Sequence, residues 1–129
     1  NCLLEGNQKW VYRVPVLLLS VAKLRFEDGL PNRHSLHDTG MAAENLVLQA
    51  TALGLAAHQM AGFRLDQARA DCQIPEGYEP AAMIAVGYAG DPALLSEHLR
   101  AREAQPRVRK PLSELVYSAT WEQPSSLLR

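Results

Sequence analysis

The sequence predicts a single domain of mixed α and β layers, a sheet flanked by helices, and three observations carry that expectation. Residues 14–24 form a Val- and Leu-rich run that opens near Pro15 and closes in the turn EDGLPN. Residues 41–53 place apolar side chains at helical spacing, and residues 81–90, AAMIAVGYAG, alternate small and branched residues. Strand signals thus alternate with helix signals, which defines layers packed around one core. A chain of 129 residues is long enough to bury that core and short enough to need only one.

Each element has its own justification. The first run reads as a buried central strand covered on both faces, because it is short, starts beside a proline and lacks an alternating polar face. After the turn, Asp38 or Thr39 is placed to cap a helix whose stripe runs through Ala42, Leu46, Ala50 and Leu53, widened by Met41, Leu48 and Ala52. A helix apolar round most of its circumference belongs in the middle of a domain, and Gly54 is its stop signal. Residues 57–62 then form a short strand or extended turn, and residues 65–73 a small helix broken by IPEGYEP. Residues 81–90 read as the second long strand. The GDP triplet suits a cap and first turn for a third helix over residues 93–104. A polar loop, EAQPRVRKP, leads to a tail that alternates weakly, as a strand or extended arm would.

Composition excludes several classes of function. A formal net charge of −1 and a pI near 6.5 remove any global attraction to nucleic acid. The longest apolar run is about half of a spanning helix, and the first residues carry no basic region followed by an apolar one, so neither a membrane anchor nor a signal peptide is expected. The two cysteines, Cys2 and Cys72, form no CxxC pair and read as reduced thiols in the cytoplasm. The chain begins with Asn rather than Met, from which a processed or truncated start is expected.

Two stretches carry candidate chemistry. Arg107 and Arg109 lie two apart on an extended segment beside Lys110. Their guanidinium forks would point the same way and close on one phosphate, unless the loop is simply a solvated basic one. The turn HQMAGF, with its small residues, lets backbone N–H groups approach a flat ligand, or serves as an ordinary connection. His34, His37 and Asp38 imitate a metal set, but Asp38 is better used as a helix cap and no further ligand has suitable spacing, so no metal site is expected. Motifs for serine nucleophiles, dinucleotide loops, P-loops and zinc hydrolases do not occur.

Four ordered blocks, GNQKWVYRVPVLLLSVAK, NRHSLHDTGMAAENLVLQATALGLAAHQMAGF, IPEGYEPAAMIAVGYAGDP and RVRKPLSELVY, resemble the C-terminal portion of the nitroreductase family. The resemblance spans nearly the whole chain and implies an α+β nitroreductase-like domain over residues 1–129, N-terminally truncated. It implies FMN as cofactor and NAD(P)H as electron donor. Hydride would pass through flavin N5 by ping-pong turnover to nitroaromatics, quinones or similar acceptors, with no covalent catalytic residue. By position, Met60, Ala61 and Gly62 would lie against the flavin ring and Arg107 and Arg109 would grip its phosphate. The resemblance also implies a homodimer, with residues 111–129 as an arm reaching the partner subunit. The family's Arg-x-Ser-x-Arg and Asn/Gln-Pro-Trp segments are not in this sequence. Gln59 replaces a common proline, and Arg64 replaces an acidic residue at a positive helix end. An alternative expectation is therefore a flavin-free remnant serving as a dimeric structural or interaction module.

Overall fold

The computed structural model describes residues 2–127, and the chain divides into two compact units, one ending at Asp91 and the other starting at Pro92. In the first unit the elements run α1 (Glu5–Val11), β1 (Val16–Lys23), α2 (Ser35–Ala52), β2 (Ala56–Met60), α3 (Leu65–Asp71) and β3 (Tyr78–Gly87). The sheet order is β1-β3-β2, and both pairings are antiparallel. The mixed α+β class expected from the alternating signals is therefore the one observed.

Strand position corrects one expectation. β1 is an edge strand with its first three residues exposed, whereas β3 is central and buries Met83, Ile84 and Ala85 in succession. Burial of consecutive residues requires cover on both faces, because neighbouring side chains in a strand point oppositely. Met83 and Ala85 join Leu3, Val11, Met60, Phe63 and Ala68 in one cluster. Ile84 faces the other way, toward Ala42, Ala43 and Leu46 of α2, across a groove of about 370 Å³. Pro80 offers no N–H to the ladder, and the register slips between Ser20 and Val21. There the Ser20 hydroxyl accepts from the Ala82 N–H and donates to the Ala82 carbonyl, each at 3.0 Å.

α2 starts earlier than expected. Its first residue is Ser35 and His34 is at the N-cap, so Asp38 and Thr39 fall inside the first turns. The cause lies in the preceding loop: the Asn32 side-chain oxygen accepts from His34 N–H and the Asn32 carbonyl from Ser35 N–H, which winds the chain before Asp38 is reached. Asp38 still favours the positive helix end, and Thr39 donates to the Ser35 carbonyl at 2.7 Å. The helix ends where expected. Gly54 adopts φ 75°, Gly54 N–H donates to Thr51 and Leu55 N–H to Ala50, the paired bonds of a Schellman ending.

The central placement of α2 is corrected too. Ala43 and Ala50, seven residues apart, are buried against the sheet, while Met41 and Leu48 on the opposite face are 50% and 59% exposed. A single three-stranded sheet covers one side of the helix. The other apolar side has no cover within the unit.

α1 has no counterpart among the expected elements. Leu3 and Val11 of this segment enter the core, and Glu5 and Lys9 pair at i,i+4 over 3.2 Å. In the second unit the expected helix over residues 93–104 is split into a 3₁₀ turn at Pro92–Leu94 and α4 (Glu97–Glu103). Ser96, extended at ψ 154°, separates them. The tail contains a 3₁₀ turn at Leu112–Glu114 and then closes on itself through the Tyr117 and Pro124 bridge. Tyr117 donates to the Glu114 carbonyl at 2.8 Å and stacks, tilted, on Trp121. Among the described residues the tail holds no strand of its own, and residues 128 and 129 of the expected arm lie outside them.

Candidate functional site

The turn after β2 owes its shape to alternating size. Met60 and Phe63 are large and buried at 6% and 7% exposure, and the two residues between them are small. The anchors hold both ends of the turn in the core, so Ala61 is pushed to the surface and Gly62 is half-buried. Both carbonyls of the small pair already have donors. Phe63 N–H donates to Ala61 at 2.9 Å; the Gly62 carbonyl accepts from Leu4 N–H at 2.9 Å and from the Asn7 side-chain amide at 3.0 Å.

α1 is thus stitched along the turn. Arg64 N–H donates to the Cys2 carbonyl at 2.7 Å, and Leu3 forms an isolated bridge with Phe63. A Cβ built on Gly62 would stand 2.5 Å from the Asn7 amide nitrogen, so any larger residue at position 62 would displace that amide. Trp10 meets His58 edge to face at 5.3 Å. Arg64 takes the N-cap of α3 without a side-chain cap bond, and Asp66 supplies the acidic group of that first turn. An arginine side chain carries no acceptor to offer the unpaired N–H groups of that turn.

Sequence reasoning selects Met60, Ala61 and Gly62 and passes over Asn7, which braces them. The signal was present. Glu5 and Lys9 stand at i,i+4, a pairing that supports a helix, but Gly6 beside Glu5 hid it.

The cationic segment belongs to the second unit. Arg107, Arg109 and Lys110 are all exposed on a stretch with no helix or strand, and Val108 between the arginines is 81% exposed. Arg109 donates to the carbonyl of Val108 at 2.9 Å. Among the described residues neither arginine takes part in an ion pair. Exposure and lack of a carboxylate partner leave both guanidinium groups able to meet an anion.

Elsewhere the polar groups are structural. Arg69 joins α3 to β3 through Glu79 at 3.0 Å and also donates to the Pro75 carbonyl. Lys23 and Glu27 form a hydrogen-bonded ion pair at the end of β1. That bond holds the Glu27 carboxyl below its usual range and raises the Lys23 ammonium above its own. Cys2 and Cys72 are both free thiols. Among the described residues no three His, Cys, Asp or Glu side chains are gathered as a metal set, and no helix is long and apolar enough to cross a membrane.

An α+β sheet with a braced small-residue turn at the end of an edge strand is the architecture to be placed among known proteins. The nitroreductase family matches residues 3–88, and the chain belongs to that family. It is 32% identical to an uncharacterized 15.4 kDa protein from Mycolicibacterium smegmatis over 122 residues, 95% of this chain and 82% of that one. Among solved structures, an oxidoreductase containing FMN superposes with a TM-score of 0.85 at 32% identity, covering 93% of this chain and 62% of the other. A nitroreductase family protein from Clostridium difficile 630 gives 0.59 at 29% identity, covering 85% of this chain and 62% of its own length. The chain therefore spans less than two thirds of the length of either solved relative. Its fold is nitroreductase-like.

Proposed function

We propose that this chain is a flavin oxidoreductase that holds FMN with the turn at Met60, Ala61 and Gly62 and with Arg107 and Arg109, and passes electrons from NAD(P)H to nitroaromatics, quinones or similar acceptors. The observation that carries this reading is the likeness, at 32% identity over 93% of the chain, to an oxidoreductase containing FMN. The chemistry of the residues fits the group. Two exposed guanidinium forks without carboxylate partners suit a phosphate dianion. An exposed Ala61 beside Gly62 offers a flat ring a backbone surface unobstructed by long side chains.

When bound, the flavin supplies the two-electron hydride chemistry, and the protein contributes binding, orientation and the local field. The arginines draw in and neutralise the anionic tail. The turn fixes the plane on which the ring rests, because Met60 and Phe63 anchor it from both sides. No side chain of the turn exchanges a proton. We further propose a homodimer, supported by the uncovered Met41 and Leu48 face of α2, with residues 111–129 reaching the partner. A cytoplasmic setting is supported by the two free thiols.

The test is direct. Purified protein, supplemented with FMN and freed of excess, is expected to show flavin absorption bands that bleach on anaerobic addition of NADH or NADPH and return with a quinone. Colourless protein that takes up no added FMN would instead indicate a flavin-free dimeric module.

A further inference from the structure

Resting on the reading that the turn at Met60, Ala61 and Gly62 meets the flavin ring, we propose that Asn7 is a positioning residue: its side-chain amide locks the Gly62 carbonyl on the α1 side and so sets which way the turn's backbone faces. The carbonyl oxygen has two lone pairs, and both are engaged, one by Leu4 N–H at 2.9 Å and one by Asn7 Nδ2 at 3.0 Å. Rotating the peptide plane after Gly62 would break both bonds together. The approach is also steric. With only 2.5 Å between the Asn7 nitrogen and the place of a Gly62 Cβ, the amide lies directly against Gly62 where a side chain would otherwise stand.

The surrounding bonds show why one side chain matters here. The Arg64 to Cys2 bond and the Leu3 to Phe63 bridge fasten the chain just beyond Gly62, and Met60 fastens it two residues before. Gly62, without a side chain, is the free joint between these fixed points. Asn7 removes that freedom from 55 residues away in sequence. The carbonyls of Ala61 and Gly62 both face donors of the protein itself, so a ring atom resting on the turn meets a backbone whose acceptors are already in use. Loss of the lock turns a fixed surface into one that must be ordered at each binding event, which weakens affinity.

The test uses Asn7→Asp, which keeps the shape but removes the donor at neutral pH, and Asn7→Ala as a second variant. Riboflavin is the principal probe because it lacks the phosphate that the arginines would hold. In the flavin-free protein, hydrogen exchange at the Leu4 and Phe63 amides should speed up at least about fivefold in Asn7→Asp, the scale of one lost hydrogen bond. Riboflavin and FMN should both weaken by the same factor, about five- to tenfold, since the defect is at the ring end. As pH falls, the carboxylate introduced by Asn7→Asp protonates and regains a donor, and the ratio of variant to wild-type riboflavin affinity should return toward one. Asn7→Ala, which has no proton to regain, should show no such rescue. Faster exchange with unchanged riboflavin affinity would overturn the positioning role and leave the flavin reading intact. Failure of the wild-type protein to bind either flavin would overturn the flavin reading itself, and the positioning role with it.

Discussion

Replacing Ile84 with alanine tests the doubly covered β3 more directly than any surface change. Ile84 is 2% exposed, and the residues on either side of it are 4% exposed while pointing to the opposite face. Ile→Ala in a sealed core costs about 2–5 kcal/mol. Here the vacated space opens into the groove of about 370 Å³ between α2 and the sheet, so water and the α2 alanines can partly fill it. The expected loss is therefore in the lower half of that range, about 2–3 kcal/mol. Ile84→Val should cost about 1 kcal/mol, and Leu18→Ala on the exposed edge strand less than about 1 kcal/mol. Urea unfolding followed by far-UV circular dichroism reads all three, provided the m-values stay equal. A loss below about 1 kcal/mol for Ile84→Ala, or one matched by Leu18→Ala, would refute the assignment of β3 as the strand covered on both faces.

Other consequences are equally concrete. Gly87→Ala would drive a Cβ to 2.8 Å from Pro15 Cδ and 3.0 Å from Cγ; we expect about 1–3 kcal/mol of destabilisation in thermal unfolding, largely relieved when Pro15→Ala is added. Leu48→Glu, on the exposed side of α2, should shift the proposed homodimer to monomer in sedimentation velocity while leaving the circular dichroism spectrum unchanged. For the Lys23 and Glu27 pair, the bond from Lys23 lowers the Glu27 carboxyl, so its contribution to stability is present above the ordinary carboxylate range and lost as pH falls through the lowered value. Lys23 is raised by the same bond, so its share is present below the ordinary ammonium value and lost only as pH rises through the higher one. Carbon-detected NMR titration should show the Glu27 carboxyl moving up in Lys23→Met.

How much of the fold and site is legible in the sequence depends on how local each signal is. The end of α2 can be read because Gly54 carries its reason in its own backbone: a left-handed residue that closes two bonds to the helix. Its beginning cannot, because Asn32, three residues ahead of Ser35, starts the winding through loop bonds that no periodicity reveals. β1 reads as a central strand because VPVLLLSVAK is apolar without alternation, yet burial in a sheet is decided by neighbours, and β3 holds the middle. The small-residue turn is visible as MAGF between two apolar anchors. Asn7 is not, since its partner lies 55 residues away and a single amide has no pattern. Arg107 and Arg109 stand out by charge alone, and their exposure is what an extended polar loop between two prolines provides.

At the centre stands the proposed pairing of a flavin ring with the turn and of its phosphate with the two arginines. Titrating the protein with FMN and with riboflavin, for wild type and for Arg107→Ala/Arg109→Ala, separates these contacts in one measurement. Wild type should prefer FMN by at least about tenfold, the worth of one charge-assisted contact of about 1.5 kcal/mol, and the double variant should bind both flavins with the affinity wild type has for riboflavin. Equal binding of the two flavins by wild type, or binding of neither, would contradict that pairing.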